Sequence, residues 1–231
     1  MVCELGQCDG SGWIEVDPTT ARPCGCREIK ARRAASRRLG TGIPKRFRGV
    51  GFDRKPIADM DQQLLRPIRA FVRNIGRNLD EGHGLWLYGD VGTGKTSIAM
   101  LVSKAVLEAG RSVAIYSMPR LLADIKETYE ESSQRSYMQL FERLCGVDLL
   151  HIDDLGAEKR TEWVLEQLYA IVNERWQEQR SMVVTTNLID PEELRAQIGA
   201  RTVSRLTEMC VQIPLMGRDK RSAASDLEVA A

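Results

Sequence analysis

The chain has 231 residues, 43% of them hydrophobic, which suits one main domain with a small appendage. Its 33 basic and 32 acidic side chains nearly cancel, so net charge selects no class of partner. No stretch is apolar and long enough to span a membrane, and Glu4, Gln7 and Asp9 interrupt any signal core, so a cytoplasmic location and no membrane partner are expected.

In chain order, residues 1–27 form a Cys- and Gly-rich segment. Four of the six cysteines (Cys3, Cys8, Cys24, Cys26) crowd into it, while Cys145 and Cys210 stand alone. In a cytosolic chain such a cluster points to metal rather than to disulfides, and four thiolates suit one tetrahedral Zn²⁺. The metal would supply folding energy that so short a segment cannot draw from a core. Free thiols are the alternative.

Residues 28–59 read as a basic helix and linker. The helix runs from Glu28 to Leu39 and stops at Gly40-Thr41-Gly42, and Ile43-Pro44 opens an irregular stretch. From Arg22 to Arg48 there are ten basic residues and one acid, Glu28. Such a block can bind a polyanion such as single-stranded DNA, or it can be a solvated helix.

From residue 60 to 221 apolar strands alternate with helices. Residues 60–79 have helical spacing, through Leu64, Leu65, Ile68, Phe71, Val72 and Ile75. Strands are expected at 84–88, 113–118, 147–152, 182–186 and 211–215. Helices are expected at 96–109, 120–130, 134–145, 162–179, 191–198 and 201–209. This alternation implies an α/β fold with a parallel sheet covered on both faces. Tyr129 and Tyr137 are read as core rather than as stacking platforms. Residues 222–231 are small or acidic and are expected to fray.

Gly89-Asp90-Val91-Gly92-Thr93-Gly94-Lys95-Thr96 fits the phosphate-binding pattern G-x-x-x-x-G-K-[ST], placed between a strand and a helix as that pattern requires. The glycines let backbone N–H groups wrap a polyphosphate, and the helix that begins at Thr96, with Ser97 in its first turn also counted to the nucleotide site, turns its positive end toward the same anion. Lys95 would reach the outer phosphates of ATP, and Thr96 would offer its hydroxyl to Mg²⁺. The strand ending at Ile152 runs into Asp153-Asp154. Asp153 would hold Mg²⁺ through water, and Asp154 would orient or deprotonate the attacking water. Asn187, at the end of Val183-Val184-Thr185-Thr186, could hydrogen-bond the γ-phosphate or that water. His83, before a strand, and His151, within one, look unrelated to the cysteine cluster.

These three strand ends resemble the AAA+ ATPases, with their Walker A, Walker B and sensor 1 elements. The resemblance implies a three-layer domain with a five-stranded parallel sheet of order 5-1-4-3-2. It also implies that Arg205, in Gly199-Ala-Arg201-Thr-Val-Ser204-Arg205-Leu206, acts as an arginine finger on ATP bound to a neighbouring subunit, with self-association to match. Arg201 lies one helical turn earlier, and Arg221 falls where a sensor 2 arginine would be. Ile152-Asp153-Asp154-Leu155-Gly156, Thr185-Thr186-Asn187 and Ile43-Pro44-Lys45-Arg46-Phe47 resemble the DnaC/DnaI replicative helicase loaders. That likeness implies binding to a hexameric replicative DNA helicase and its placement on single-stranded DNA, with an N-terminal zinc module contacting the helicase. Asp154 stands where most AAA+ proteins have Glu, so slow, partner-stimulated hydrolysis is expected. The alternatives are an IstB-type transposition ATPase, which shares the Asp-Asp-Leu-Gly motif, and a zinc-containing interaction module that uses ATP only as a switch.

Overall fold

The computed structural model describes residues 3, 5–17, 19–27, 42–130, 136–217 and 219. The expected basic helix, the frayed tail and Arg221 lie outside the described residues. Among the described residues no helix is long and apolar enough to cross a membrane.

Two sheets form. The first is an antiparallel pair inside the Cys-rich segment, β1 (Trp13–Asp17) and β2 (Thr20–Pro23). Asp17 closes its turn by accepting from the backbone and hydroxyl of Thr19. The second sheet has five strands: β3 (Gly84–Gly89), β4 (Val113–Ser117), β5 (Leu149–Asp153), β6 (Ser181–Thr186) and β7 (Cys210–Leu215). Their spatial order is β4-β5-β6-β3-β7, and every pairing is parallel. Counted along the chain as first to fifth, this is 5-1-4-3-2. Pro214 sits in β7, an edge strand, where its missing N–H costs no ladder bond.

Eight helices flank the strands among the described residues: α1 (Gln62–Arg73), α2 (Ile75–Asp80), α3 (Lys95–Glu108), α4 (Met118–Glu127), α5 (Tyr137–Gly146), α6 (Glu162–Gln177), α7 (Pro191–Ile198) and α8 (Ala200–Met209). Side chains alternate across each strand, so the sheet feeds two cores. Leu85, Leu87, Ile115, Leu149 and Val183 pack with α1 and α3. Trp86, Tyr116, Leu150, Ile152 and Val184 pack with α4 to α8.

Most element expectations hold within a few residues, and the differences have local causes. The helix expected over 60–79 splits at Asn74, whose side chain bonds back to the Ala70 carbonyl. The strand expected to run to Met118 stops at Ser117, because Pro119 suits the first turn of α4. The stretch expected to be linker up to residue 59 contributes Val50 and Ile57 to the core under α3. Lys104 of α3 donates to the Val50 carbonyl at 3.0 Å. The body of the domain therefore begins earlier than its periodic pattern does.

One buried cation ties the lower edge of the sheet together. The Arg175 side chain in α6 is fully buried and donates to the carbonyls of Leu144, Cys145, Val147, Asp148 and Ser181. These are late carbonyls of α5, which have no partner within the helix, and carbonyls just before β5 and at the start of β6.

Candidate functional site

The candidate site is built on the carboxyl ends of β3, β5 and β6. Parallel strands bring these ends to one edge, where open α/β sheets bind ligands. β3 ends at Gly89, directly beside Leu215 of β7. With φ at 141° and the Leu215 carbonyl where a Cβ would sit, only glycine fits there. The loop then turns through Asp90 to Gly94 into α3. Lys95 is 5% exposed, and its Nζ donates to the carbonyls of Gly89 at 2.9 Å and Asp90 at 2.7 Å. Thr93 Oγ1 also donates to the Asp90 carbonyl, at 2.9 Å. Val91 is exposed at the loop tip, and Ser97 is half-buried in the first turn of α3.

Thr96 and Asp153 meet across elements 57 residues apart, with Thr96 Oγ1 donating to Asp153 Oδ1 at 3.1 Å. A hydroxyl beside a carboxylate is the hard-oxygen donor pair that suits Mg²⁺. The same Oδ1 accepts from Thr185 Oγ1 of β6 at 2.7 Å. Thr185 Oγ1 in turn accepts from the Asp154 amide at 2.9 Å. Its carbonyl accepts from Leu155 N at 2.8 Å, while Thr186 Oγ1 donates to the Leu155 carbonyl at 2.7 Å. The two threonines thus clamp the turn in which Asp154 takes a left-handed φ of 57°. Burial raises the Asp153 pKa, but the His151 ring and the Thr185 and Thr96 hydroxyls outweigh it and hold the carboxyl below its ordinary range.

Other expected residues fall as follows. Asn187 is exposed immediately after β6, the strand between β3 and β5. Arg201 is exposed on α8. Arg205 is half-buried against its own chain, its guanidinium 3.6 Å from the Trp176 ring centroid and 3.5 Å from Glu208 Oε1. Glu208 also accepts from Trp176 Nε1 at 2.8 Å.

Several residues were not legible beforehand. His151, given no role in the nucleotide site by its sequence, is fully buried beside Asp153, with Nδ1 3.0 Å from Ser103 Oγ and Nε2 3.9 Å from Asp153 Oδ1. Thr185 was legible only as part of a string, without a role. Asp219 lies against the phosphate loop, its carboxylate where a Cβ on Gly92 would be, and Gly217 N donates to Asp90 Oδ2 at 2.9 Å. Tyr129, expected in the core, is 57% exposed and stacks on Tyr137 at 5.9 Å. Tyr137 packs against the core, as expected.

In the N-terminal segment the thiols of Cys3, Cys8, Cys24 and Cys26 all lie within 4.8 Å of one another. Cys3 and Cys24 are 3.8 Å apart, Cys8 and Cys26 3.6 Å. Zinc–thiolate bonds of about 2.3 Å span a tetrahedron with edges of about 3.8 Å, so the cluster fits that ion. Burial raises the Cys3 thiol, but amides at Gln7, Cys8 and Leu5 bring it down to about 6. Burial and the neighbouring thiols push Cys26 up to about 12.

Comparison with known proteins agrees with this geometry. The family model described as IstB-like ATP binding protein matches residues 50–230. The replicative helicase loader DnaC of Buchnera aphidicola (Acyrthosiphon pisum, strain APS) is 26% identical over 182 residues, covering 78% of this chain and 72% of the relative. An insertion sequence IS21-like putative ATP-binding protein of Bacteroides fragilis is 31% identical over 207 residues, covering 86% of this chain and 74% of the relative. A crystal structure of the DnaC helicase loader superposes with a TM-score of 0.65 at 26% identity, covering 74% of this chain and 99% of that one. The chain belongs to the IstB-like ATP-binding protein family and is an AAA+-type ATPase similar to the DnaC helicase loaders.

Proposed function

We propose that this protein is an ATP-dependent loader that binds a hexameric replicative DNA helicase and helps place it on single-stranded DNA. The observation that carries the reading is the convergence of Lys95, Thr96, Asp153 and Thr185 on one sheet edge, in a chain whose similarity to DnaC covers three-quarters of its length. Backbone N–H groups from Gly89 to Thr96, with Ser97, cradle the phosphates, and Lys95 exchanges its carbonyl partners for phosphate oxygens. Thr96 and Asp153 hold Mg²⁺, which neutralises charge on the phosphates. Asp154 orients the attacking water from its clamped turn, and Asn187 steadies it from the neighbouring strand end. Arg221 contacts the γ-phosphate as a sensor 2 residue.

Arg205 completes the site of a neighbouring subunit. Its stacking on Trp176 holds it against its own chain, so turnover by one subunit alone is slow. ATP binding then reports assembly on the helicase. The Cys₄ segment binds zinc and presents Leu5 and Val16, both exposed, to the helicase. Residues 1–27 act as this module, 28–49 connect it, and 50–221 bind nucleotide.

The test is capture of the replicative helicase of the source organism by the tagged chain with ATP and with ADP, followed by ATP turnover with and without single-stranded DNA. Nucleotide-dependent capture and turnover stimulated by DNA and helicase are expected. Capture of a transposase in place of the helicase would support the IstB-type reading. Unstimulated turnover together with an unaffected Asp154→Asn variant would leave a nucleotide switch.

A further inference from the structure

His151 is a residue no phosphate-binding motif calls for. It lies two positions before Asp153 on β5, so both side chains leave the same face of the strand, the face covered by α3. On α3, Ser103 follows Thr96 by seven residues, two helical turns, and shares its face. The result is a two-rung contact between helix and strand. Thr96 meets Asp153 at 3.1 Å, and Ser103 meets His151 at 3.0 Å.

Both polar side chains of the second rung are fully buried, and the strand neighbours of His151 are Ile115 and Val183. The Asp153 carboxylate favours a proton on the nitrogen that faces it, Nε2. The Ser103 hydroxyl then donates to Nδ1, which fixes the tautomer and the ring plane. Nε2 is buried without a hydrogen-bond partner, 3.9 Å from Asp153 Oδ1. A buried imidazole donor with no partner is a rare arrangement. Asp153 Oδ1 already accepts two hydroxyls, from Thr96 and Thr185. In the reading proposed above, the Thr96 hydroxyl is committed to Mg²⁺ once nucleotide binds, which releases one of these two contacts.

We infer that His151 is a positioning residue for Asp153. Held by Ser103, its Nε2–H secures Asp153 Oδ1 whenever Thr96 is engaged with a divalent cation. The inference rests on the nucleotide-site reading. It adds two residues, His151 and Ser103, that set the affinity of the site for the cation rather than for the phosphates.

The experiment uses the full chain and measures the Mg²⁺ concentration needed for half-maximal binding of a fluorescent ATP analogue. Direct Mn²⁺ binding by electron paramagnetic resonance and the thermal midpoint of each variant accompany it. The amide nitrogen of Gln reaches the place of Nε2, and that of Asn the place of Nδ1. His151→Asn is therefore expected to raise the metal requirement about tenfold, the usual effect of losing an outer-shell partner. Metal-free nucleotide binding stays unchanged, and His151→Gln restores the wild-type requirement. Folded Asn and Gln variants that shift equally, or neither of which shifts, overturn the inference. Should His151→Asn fail to fold, Ser103→Ala, which frees the ring without enlarging it, is expected to raise the requirement in the same direction, and an unchanged requirement there overturns it. Lys95→Ala is expected to abolish nucleotide binding, and Asp153→Asn to raise the metal requirement. Wild-type behaviour of either overturns the nucleotide-site reading itself, and the role of His151 with it.

Discussion

Asp153 and Glu158 lie five residues apart, and their surroundings move their carboxyls in opposite directions. Burial acts on both. At Asp153 the His151 ring and two hydroxyls overcome it, whereas at Glu158 burial prevails against two backbone amides, its own and that of Gly156 at 3.0 Å. Glu158 Oε1 is buried with no partner. Its folded pKa therefore lies above the unfolded value of 4.5, so folding takes up a proton at this site. Stability from Glu158 is fullest below the unfolded value and declines as pH rises from there through the folded value. Glu158→Gln is expected to raise the thermal midpoint at neutral pH, by on the order of 1 kcal/mol of stability, and to flatten that decline. Thermal scans across acidic to neutral buffers would show the effect, and a lower midpoint at neutral pH would count against it.

At the scale of elements, two arginines on neighbouring helices do different work. Arg175 of α6 satisfies five carbonyls in the body of the fold. Replacing it by Met orphans those acceptors, and the loss should reach at least about 3 kcal/mol in chemical denaturation. Lys, with one compact ammonium, is not expected to restore it. Arg205 of α8 instead rests half-buried on Trp176, beside Glu208. Arg205→Ala is expected to leave nucleotide affinity and the thermal midpoint near wild type. Helicase-stimulated turnover should fall about 10³-fold, the range for a lost arginine finger. A variant that binds nucleotide poorly on its own would mark Arg205 as structural instead.

The whole molecule combines a metal-sized cysteine cluster with an ATPase body that has two cores of its own. The small segment buries little besides Cys3, Cys24 and Cys26, so its order depends on what those thiols hold. A chelator is expected to release one zinc per chain and to melt the β1–β2 hairpin, as followed by Trp13 fluorescence. The main thermal transition and nucleotide binding should remain. Loss of the main transition on chelation would mean that the two parts are not independent.

Much of the architecture was legible because α/β strands buried on both faces are short apolar runs, and Leu85-Trp86-Leu87 or Met182-Val183-Val184 need no partner to be recognised. The β1–β2 hairpin was not, since its residues are almost all exposed and carry no apolar alternation. Nor was the burial of Val50 and Ile57, which sit in irregular chain without a period. The exposure of Tyr129 escaped for a similar reason, because an aromatic ring reads as apolar wherever it lies.

By itself the sequence determined the phosphate loop, the order of strands and helices, and the spacing of the four thiols. Each is a contiguous pattern whose chemistry resides in backbone freedom, local charge or a few neighbouring side chains. Only the tertiary structure decided that Thr96 and Thr185 share Asp153, that His151 is buried beside it against Ser103, and that Arg205 lies on Trp176. Those contacts join residues as far as 57 positions apart. They arise when parallel strands register and a helix crosses them, a geometry that no local run of residues encodes.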